Sequence, residues 1–392
     1  MVVLLGAGAS APAGVPLAGD MTRKLVEQNP GVGWPSGQVI NFVVGRLIDD
    51  GSRRGGSPLE LPDVEAVVAA LEQLVDRAAN ALAPFVATWE PLPPGPPPRS
   101  PFDESVEEVA RGLNRHLENR DREHRFMGGD RPPDPYMWDR AVRRAIHEET
   151  NRDEGVHVAS AANHAFEFLK LATHVTDPDR VAHLLPLVRH ARDHPPFTIA
   201  SLNYDNTVEL ASESAGVSFS RGVDHWSDTE ELSFPESSEV RLLKLHGSVD
   251  WRLGPWRDDQ QLAVADPKKP GRPAVIFGQG NKLTAEGPYL DLLAQFRDDL
   301  RSVSHLLVLG YSFRDDHVNE IIRRWLAPPK RRMRAVGVGP MPDGFTRVRP
   351  FRRSGQELRA EWEDREIKTP ADMEALLADA EEWSHEMPEQ TE

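Results

Sequence analysis

The chain has 392 residues, of which 39% are hydrophobic and 28% are charged, a composition typical of a globular protein with a substantial core. It contains no cysteine, which excludes disulfides, iron–sulfur clusters, thiolate zinc sites and cysteine nucleophiles. The net charge of −16 argues against nonspecific DNA binding by the chain as a whole, because a phosphate backbone requires a positive surface.

The apolar runs of the sequence are short. Met1–Leu5 and Leu306–Leu309 are much shorter than the roughly 20 residues that a membrane-spanning helix needs. The N-terminus has neither a basic flank nor a signal cleavage site. We therefore expect a cytoplasmic protein with no membrane association and no direct, specific nucleic-acid binding.

The first predicted element is a short strand at Val2–Leu5, which ends in Gly6-Ala7-Gly8. A helical pattern of apolar residues begins near Leu17. Strand, glycine turn and helix in this order open a nucleotide-binding α/β unit. The same pattern also fits a tight turn between a strand and a helix that binds no ligand.

The long segment that follows, up to Pro196, has mainly helical patterns. Its predicted helices lie at Asp63–Val86, Phe102–Leu117, Met137–Glu149 and Ala159–His174. Seven prolines in Pro91–Pro101 predict an extended or poorly packed loop. Residues 28–196 are therefore predicted to be a helical insertion in an α/β core.

Short apolar strands alternate with helices after this insertion. The predicted strands are Phe197–Leu202, Val240–Leu245, Ala274–Phe277 and Leu306–Leu309, and the predicted helices are Tyr289–Ser302, Asp316–Leu326 and Ala371–Trp383. Such a pattern is typical of a parallel sheet buried on both faces. We predict an α/β fold with a Rossmann-like, doubly wound parallel sheet. Residues 1–27 and 197–350 would form the core, and residues 351–392 an acidic, helical C-terminal tail.

Polar or glycine-rich groups follow four of the predicted strands. They are Gly6-Ala7-Gly8-Ala9-Ser10, Asn203-Tyr204-Asp205, His246-Gly247-Ser248 and Gly310-Tyr311-Ser312. The carboxyl ends of parallel strands meet at one edge of a sheet, where ligands bind. Each group alone has an ordinary structural explanation, such as a tight turn, an Asx turn or a hydrogen-bonded histidine. Their joint occurrence at four strand ends favours a ligand site.

The residue types in these groups suit a nucleotide. Gly6 and Gly8 allow the backbone to approach a pyrophosphate. Asn203 can donate to and accept from a ribose or a water molecule, and Asp205 can accept from a ribose hydroxyl. His246 follows a strand end, and histidine is the residue type most often used as a general base.

In chain order the motifs read GAGASAPAGVP from Gly6, LNYD from Leu202, KLHGSVDW from Lys244 and GYSFRDDHVN from Gly310. They resemble the motifs of the sirtuin-like (silent-information-regulator-like) family, specifically its bacterial branch in anti-phage defence. Phe277–Leu283, followed by Gly287-Pro288-Tyr289, is also similar to that branch. The resemblance extends from Met1 to about Leu326, and the insertion is matched only in position.

The sequence departs from the deacylases of this family in three respects. Deacylases carry a four-cysteine zinc module, which this chain cannot form. Val15-Pro16 is followed by Leu17-Ala18-Gly19-Asp20 instead of the family's acidic–aromatic–arginine trio. Ser201 replaces the usual threonine and keeps a hydroxyl. The resemblance therefore implies NAD hydrolysis and not protein deacylation, with no zinc and no other metal.

By this resemblance the chain cleaves the nicotinamide–ribose bond of NAD, its substrate, to give nicotinamide and ADP-ribose. His246 would be the base, and Asn203 would position the water molecule and the ribose. Asp205 would steady the ribose or the cationic sugar. The phosphates and the adenosine would be held by a further set of residues: Gly6, Ala7, Gly8, Ser10, Gly310, Tyr311 and Ser312.

An unregulated NAD hydrolase would harm its host, so the resemblance also implies control, as in a toxic effector of abortive infection. We expect a homo-oligomer and a separate partner chain, a HerA-type DNA-translocase ATPase in preference to a short Argonaute. The insertion and the basic-then-acidic segments Arg323–Arg353 and Glu357–Glu392 are candidate regulatory elements. The two charged segments also fit a solvated surface.

Two other functions fit parts of the sequence. A non-catalytic sensor of NAD or ADP-ribose with a sirtuin-like fold would need the binding loops but not a base such as His246. An NAD-dependent dehydrogenase would need a second strand ending in an acidic residue about 20 residues after the glycines. The candidate strand Val39–Val44, before Asp49, comes late and could equally be helical.

Overall fold

The structure is a computed structural model that describes residues 1–28, 35–57, 59–75, 158–224, 226, 231–253, 262–264, 274–275, 288–348 and 359–385. Several predicted features lie outside these residues: the loop Pro91–Pro101, the helices at Phe102–Leu117 and Met137–Glu149, and the motif Phe277–Leu283. Among the described helices, none combines the length and the apolar character needed to cross a membrane.

Parallel strands form a central seven-stranded sheet. In chain order the described strands are β1 Val2–Leu5, β2 Phe197–Ser201, β3 Phe219–Ser220, β4 Val240–Lys244, β5 Gly247–Ser248, β6 Trp251–Leu253, β7 Leu262–Val264, β8 Ala274–Val275, β9 His305–Leu309, β10 Arg332–Gly337 and β11 Ala360–Asp364. The sheet has the order β11-β10-β9-β1-β2-β4-β3, and all its neighbouring strands are parallel. From β1 the chain builds outward to β2 and β4 on one side and to β9, β10 and β11 on the other. This confirms the predicted Rossmann-like, doubly wound fold.

The inner strands of the sheet are buried on both faces. Every residue of β1 and β2 is buried, as their apolar sequences Val2–Leu5 and Phe197–Ser201 require. In β1, Val2 lies beside Thr198 of β2 and Leu306 of β9. The first strand of the chain is therefore completed by strands that come much later in the sequence.

The strand predictions differ from the structure in two places. Ala274–Phe277 was predicted as a strand of the parallel sheet, but β8 pairs antiparallel with β5 in a separate small sheet. Conversely, β10 and β11 extend the central sheet without having been predicted. These are the last two strands on one side of the sheet. Both carry charged residues and lack the continuous apolar run of an inner strand, as the sequences of Arg332–Gly337 and Ala360–Asp364 show.

The described part of the chain also contains eleven α-helices. They are α1 Ala7–Ser10, α2 Ala18–Gln28, α3 Pro35–Arg53, α4 Val64–Val75, α5 at residues 158–173, α6 Leu185–Asp193, α7 Thr207–Ala215, α8 Tyr289–Arg301, α9 Asp316–Leu326, α10 Asp343–Val348 and α11 Pro370–His385. Short 3₁₀ turns lie at Ala11–Ala13 and Pro178–Leu184. The predicted helices at Tyr289–Ser302, Asp316–Leu326 and Ala371–Trp383 are confirmed to within a few residues.

The chain divides into two compact units. The first comprises Met1–Gln28, Arg46–Ala69 and Ala165–Glu392, and it contains the whole central sheet. It therefore includes residues 46–69 and 165–196, which lie within the insertion predicted at residues 28–196. The second comprises Asn29–Gly45 and Ala70–His164. In its described part, Ile40, Val43 and Leu71 are buried, and His164 Nδ1 lies 3.0 Å from Ser36 Oγ.

Buried charged side chains lie beneath the carboxyl end of β4 in the first unit. Lys244 donates from Nζ to the carbonyl oxygen of Asp205 and lies 3.4 Å from the carboxylate of Glu209. Arg221 and Asp250 form a second buried pair at 2.7 Å. Burial raises the pKa of Glu209, and the positive charge of Lys244 opposes that shift. These contacts fix the loop after β2 against β4.

Candidate functional site

The loops that follow β1 and β9 are interlocked through their backbones. Gly6 N donates to Leu309 O at 2.8 Å, and Gly8 N donates to Gly310 O at 2.9 Å. A Cβ atom on Gly6 would lie 2.6 Å from Gly310 O. Gly310 has a φ of 62°, and a Cβ atom there would lie 2.3 Å from Ala9 N. The glycines of the two motifs are thus required for the contact between the loops.

Asn203 is held by a series of hydrogen bonds in which the donor of each bond can be assigned. Its Nδ2 donates to Gly6 O and to Ser10 Oγ, both at 2.9 Å. Thr207 Oγ1 donates to Asp205 Oδ1 at 2.6 Å, so at the 3.1 Å contact between Ser10 and Thr207 it is Ser10 that donates. Both amide hydrogens of Asn203 are therefore used, which leaves Oδ1 as its side-chain acceptor.

His246 forms a buried pair with Asp315. The ring Nε2 lies 2.7 Å from Asp315 Oδ2, and both side chains are about 95% buried, with exposures of 6% and 4%. A carboxylate accepts, so Nε2 carries the hydrogen of the neutral ring, and Nδ1 carries the lone pair. The pair therefore fixes both the orientation and the tautomer of a potential base.

Asp315 is itself held in place by the start of α9. Its Oδ1 accepts from the backbone N–H groups of His317 and Val318 at 2.9 and 3.2 Å, which caps the helix. Its own N–H donates to Tyr311 Oη at 3.1 Å. Phe313, between them, has a φ of 55°, an uncommon conformation for a bulky residue. The loop after β9 is thus a strained segment that aims Asp315 at His246.

A second acidic residue reaches the same region from α4. Tyr204 Oη donates to Glu65 Oε1 at 2.8 Å, and the ring centroids of Tyr204 and His246 are 6.3 Å apart. Burial and the Glu65 carboxylate raise the pKa of Tyr204 well above its usual value, so the phenol remains a donor. Asp63 caps the same helix by accepting from Ala66 N at 2.7 Å.

A cavity of about 690 Å³ lies at the carboxyl ends of β1, β2, β9 and β10, and His246, just after β4, lines it too. Of the predicted site residues, those that line it are Gly6, Ala7, Gly8, Asn203, His246, Gly310, Tyr311 and Ser312. Ser10 and Asp205 do not line it, because their side chains form the hydrogen-bonded chain behind Asn203. The structure thus brings together most of the predicted set and gives these two a supporting position.

Several lining residues were not predicted as site residues. Asp315 and Glu65 line the cavity near His246, and His183 lines it beside the first glycine loop, where its Nε2 donates to Ala9 O at 2.9 Å. Asp315 belongs to the motif GYSFRDDHVN and directly precedes the predicted helix Asp316–Leu326. Glu65 lies in a segment assigned to the insertion, and no sequence pattern indicates that it faces a site.

The end of the cavity beside β10 and β11 combines apolar and cationic groups. Val338, Trp362 and Ile367 line it together with Arg365 and Lys368. Trp362 Nε1 donates to a backbone carbonyl at 3.3 Å, and Arg365 is fixed by Asp379 of α11 at 3.0 Å. The cavity can therefore receive a ligand with anionic groups and an aromatic ring.

The sheet is parallel and doubly wound, and the cavity lies at its topological switch point, between β1 and β9. This arrangement is typical of nucleotide-binding α/β domains. Residues 198–368, somewhat less than half of the chain, match the family model of the SIR2-like domain. No curated protein sequence matches the chain.

Solved sirtuin structures align with the chain at low similarity. A sirtuin studied for substrate affinity is 13% identical, with a TM-score of 0.30 over 51% of this chain and 71% of its own. A Sir2 homologue solved with NAD is 12% identical, with a TM-score of 0.34 over 58% and 75%. A Sir2 enzyme solved to study mechanism and regulation is 14% identical, with a TM-score of 0.33 over 57% and 78%. The similarity to the SIR2-like domain over residues 198–368 therefore rests on the family model.

Proposed function

We propose that this protein is an NAD⁺ glycohydrolase, which binds NAD as its substrate in the 690 Å³ cavity and releases nicotinamide and ADP-ribose. The observation that carries the proposal is the buried His246–Asp315 pair, which lines the cavity together with Asn203. Hydrolysis needs an oriented base to take a proton from water, whereas a site that only binds NAD does not. The resemblance of the motifs to the NAD-hydrolysing branch supports the same reaction.

The bond that breaks joins C1′ of the ribose to the pyridinium nitrogen of nicotinamide. The electron pair of that bond neutralises the ring, so nicotinamide leaves as a neutral molecule and no general acid is needed. The ribose passes through an oxocarbenium-like state, as in other glycosidic cleavages. The water oxygen then forms a bond to C1′, and the proton of that water must be removed.

His246 would remove the proton through Nδ1. Because Nε2 donates to Asp315, Nδ1 is the ring nitrogen with a lone pair, and the carboxylate stabilises the imidazolium that forms. General-base help of this kind contributes on the order of 10²–10⁴ in rate. Fixed dipoles and positioning would supply the remainder.

Asn203 would position the water molecule or a ribose hydroxyl through Oδ1. Its amide hydrogens are both bound within the protein, so the acceptor has a fixed direction. Asp205 lies at the far end of the series of hydrogen bonds that starts at Asn203, and it is connected to Asn203 through Thr207 and Ser10. A role for Asp205 in orienting Asn203 therefore fits its contacts better than a direct contact with ribose.

Glu65 would stabilise the cationic sugar, the role first assigned to Asp205. Glu65 lines the cavity and is hydrogen-bonded to Tyr204, whose ring lies near His246. A carboxylate near a developing positive charge stabilises it most where water is excluded. The phosphates and the adenosine would lie along the glycine loops towards Trp362, Arg365 and Lys368.

The biological setting is proposed from the motif resemblance. The enzyme would be a toxic effector of an anti-phage abortive-infection system, a homo-oligomer that a partner controls, with a HerA-type ATPase favoured over a short Argonaute. Protein deacylation does not fit, because the chain has no cysteine for the zinc module of the deacylases.

The test is NAD consumption by the purified chain, with chromatography of the products and calorimetry of NAD binding. Release of nicotinamide and ADP-ribose in equal amounts is the expected result, and Asn203→Ala should abolish it. Turnover that appears only when the partner is added would still support the hydrolase. Tight NAD binding with no turnover in either condition would contradict it and favour a non-catalytic sensor of NAD or ADP-ribose.

Glu65→Gln should lower kcat for NAD hydrolysis by about 10²-fold, because it removes the negative charge that faces the sugar cation. The glutamine Oε1 can still accept from Tyr204, so NAD affinity and melting temperature should change little. Steady-state kinetics with calorimetric NAD binding measure this. Glu60→Gln, an exposed acid just before the same helix, is the matched control. Equal kcat values for the two variants would remove Glu65 from the mechanism.

A further inference from the structure

We propose that His190, His194 and Glu381 form a binding site for a divalent transition-metal ion such as Zn²⁺. One ligand atom from each residue, a ring nitrogen of either histidine or a carboxylate oxygen of Glu381, lies within 4.8 Å of the other two. None of the three residues lines the cavity, and His194 lies just before the amino end of β2, whereas the cavity is at the carboxyl ends of the strands. The sequence led us to expect no metal, so this site is new and independent of the proposed hydrolase.

The distances between the ligand atoms are close to those of a bound tetrahedral ion. His190 Nδ1 is 3.2 Å from Glu381 Oε1, and His194 Nε2 is 4.0 Å from the same oxygen. Ligands at 2.0–2.2 Å from a tetrahedral zinc ion are separated by roughly 3.3 Å. His194 and Glu381 are half exposed, at 55% and 50%, so both side chains can move closer around an ion.

The hydrogen bond of His194 prepares Nε2 to be a ligand. Its Nδ1 lies 2.9 Å from the carbonyl oxygen of His190, and a carbonyl only accepts, so Nδ1 carries the hydrogen. In the neutral ring the lone pair is then on Nε2, beside the carboxylate of Glu381. A lone pair and a carboxylate that face each other favour a cation between them. A bond from the second ring nitrogen to a backbone carbonyl is also the usual support of metal-bound histidine.

Both histidines lie at the C-terminal end of α6, and His190 also packs against the buried Phe197. They are four residues apart at the C-terminus of α6, and their rings are stacked with centroids 4.2 Å apart. The His190 ring also packs edge-on against Phe197, with centroids 5.5 Å apart, and its side chain is only 12% exposed. Two imidazoles and one carboxylate leave a position for water and are a donor set that suits zinc, cobalt or nickel.

A metal ion at this position would connect α6 to α11. Glu381 lies on α11, which packs against α6. The same helix supplies Asp379 to Arg365, and its residue Met373 lines the cavity. Binding of the ion to the folded state alone would stabilise that state, since the ligands come together only there.

The experiment uses the full chain, stripped of metal with a chelator and then titrated with Co²⁺ or Zn²⁺. We expect one equivalent of Co²⁺ to give visible absorption bands that Zn²⁺ abolishes. Zinc at a hundredfold excess over its dissociation constant should raise the melting temperature by about 2–5 °C. His194→Ala and Glu381→Gln should each weaken binding at least 10-fold, and since both side chains are half exposed the variants should fold.

His305→Ala and Glu382→Gln are the matched controls, because each replaces the same residue type outside the cluster. They should bind metal like the wild type. Binding by His194→Ala and Glu381→Gln that equals the wild type would mean that the ion sits elsewhere among the 14 histidines, and would overturn the proposal. A wild-type chain that binds neither ion would overturn it as well. Neither readout depends on NAD turnover.

Discussion

His246→Ala should lower kcat for NAD hydrolysis by a factor of about 10²–10⁴, with NAD affinity nearly unchanged. Asp315→Asn should have a similar effect although it leaves the ring in place. The new amide can keep Oδ1 towards the backbone donors of α9 and turn its Nδ2 towards His246 Nε2. A donor at that position moves the ring hydrogen to Nδ1 and removes the lone pair that would accept the proton of water.

The double variant His246→Ala/Asp315→Asn separates this account from a general disturbance of the site. If Asp315 acts through His246, the double variant should be no slower than His246→Ala alone. Steady-state kinetics of the three variants give the coupling, and calorimetry of NAD binding checks that the cavity is intact. Asp316→Asn, an exposed neighbour on the same helix, is the control. If the reductions in kcat caused by the two single substitutions multiply in the double variant, Asp315 does not act through His246.

Gly310→Ala should destabilise the fold by about 3 kcal/mol or more and abolish NAD binding. An alanine in the left-handed region costs about 1 kcal/mol on its own. At this position its Cβ would also lie 2.3 Å from Ala9 N and 2.5 Å from the carbonyl carbon of Gly8, and backbone on both sides cannot move aside cheaply. Urea unfolding measures the loss in the free energy of unfolding.

Gly216→Ala is the matched control for that variant. Gly216 ends α7 with a φ of 65°, nearly the φ of Gly310, and a Cβ atom there meets nothing within 4 Å. It should lose only about 1 kcal/mol, the conformational part, and keep NAD binding. If both variants lose the same free energy of unfolding, the close contact between the loops after β1 and β9 contributes nothing to stability.

The fold could be predicted because its inner strands are short apolar runs that end in unusual polar groups. Asn203 and His246 were found from their positions after β2 and β4, since parallel strands bring their carboxyl ends to one edge. Strand order, however, depends on tertiary pairing. β10 and β11, the last two strands on one side of the sheet, carry charged residues, and no apolar run distinguishes them from loops.

The side-chain partners in the site could not be predicted, because they depend on distances between elements far apart in the sequence. Asp315 directly precedes the predicted helix Asp316–Leu326, but only the folded structure brings it within 2.7 Å of His246. Asp205 follows a strand end, as a ligand contact would, yet its side chain turns back to Thr207. The glycines had been assigned to a pyrophosphate, and the structure adds that each loop needs them to pack on the other.

The pairing of β1 has a consequence for the time course of synthesis. Val2–Leu5 is synthesised well before its two neighbours in the sheet, which begin at Phe197 and His305, and Asp315 follows later still. A nascent chain that stops before β9 has the glycine loop and His246 but lacks the Gly310 loop and the partner of the base. An enzyme with the proposed activity would therefore lack a complete site until Asp315 has been synthesised and folded against His246.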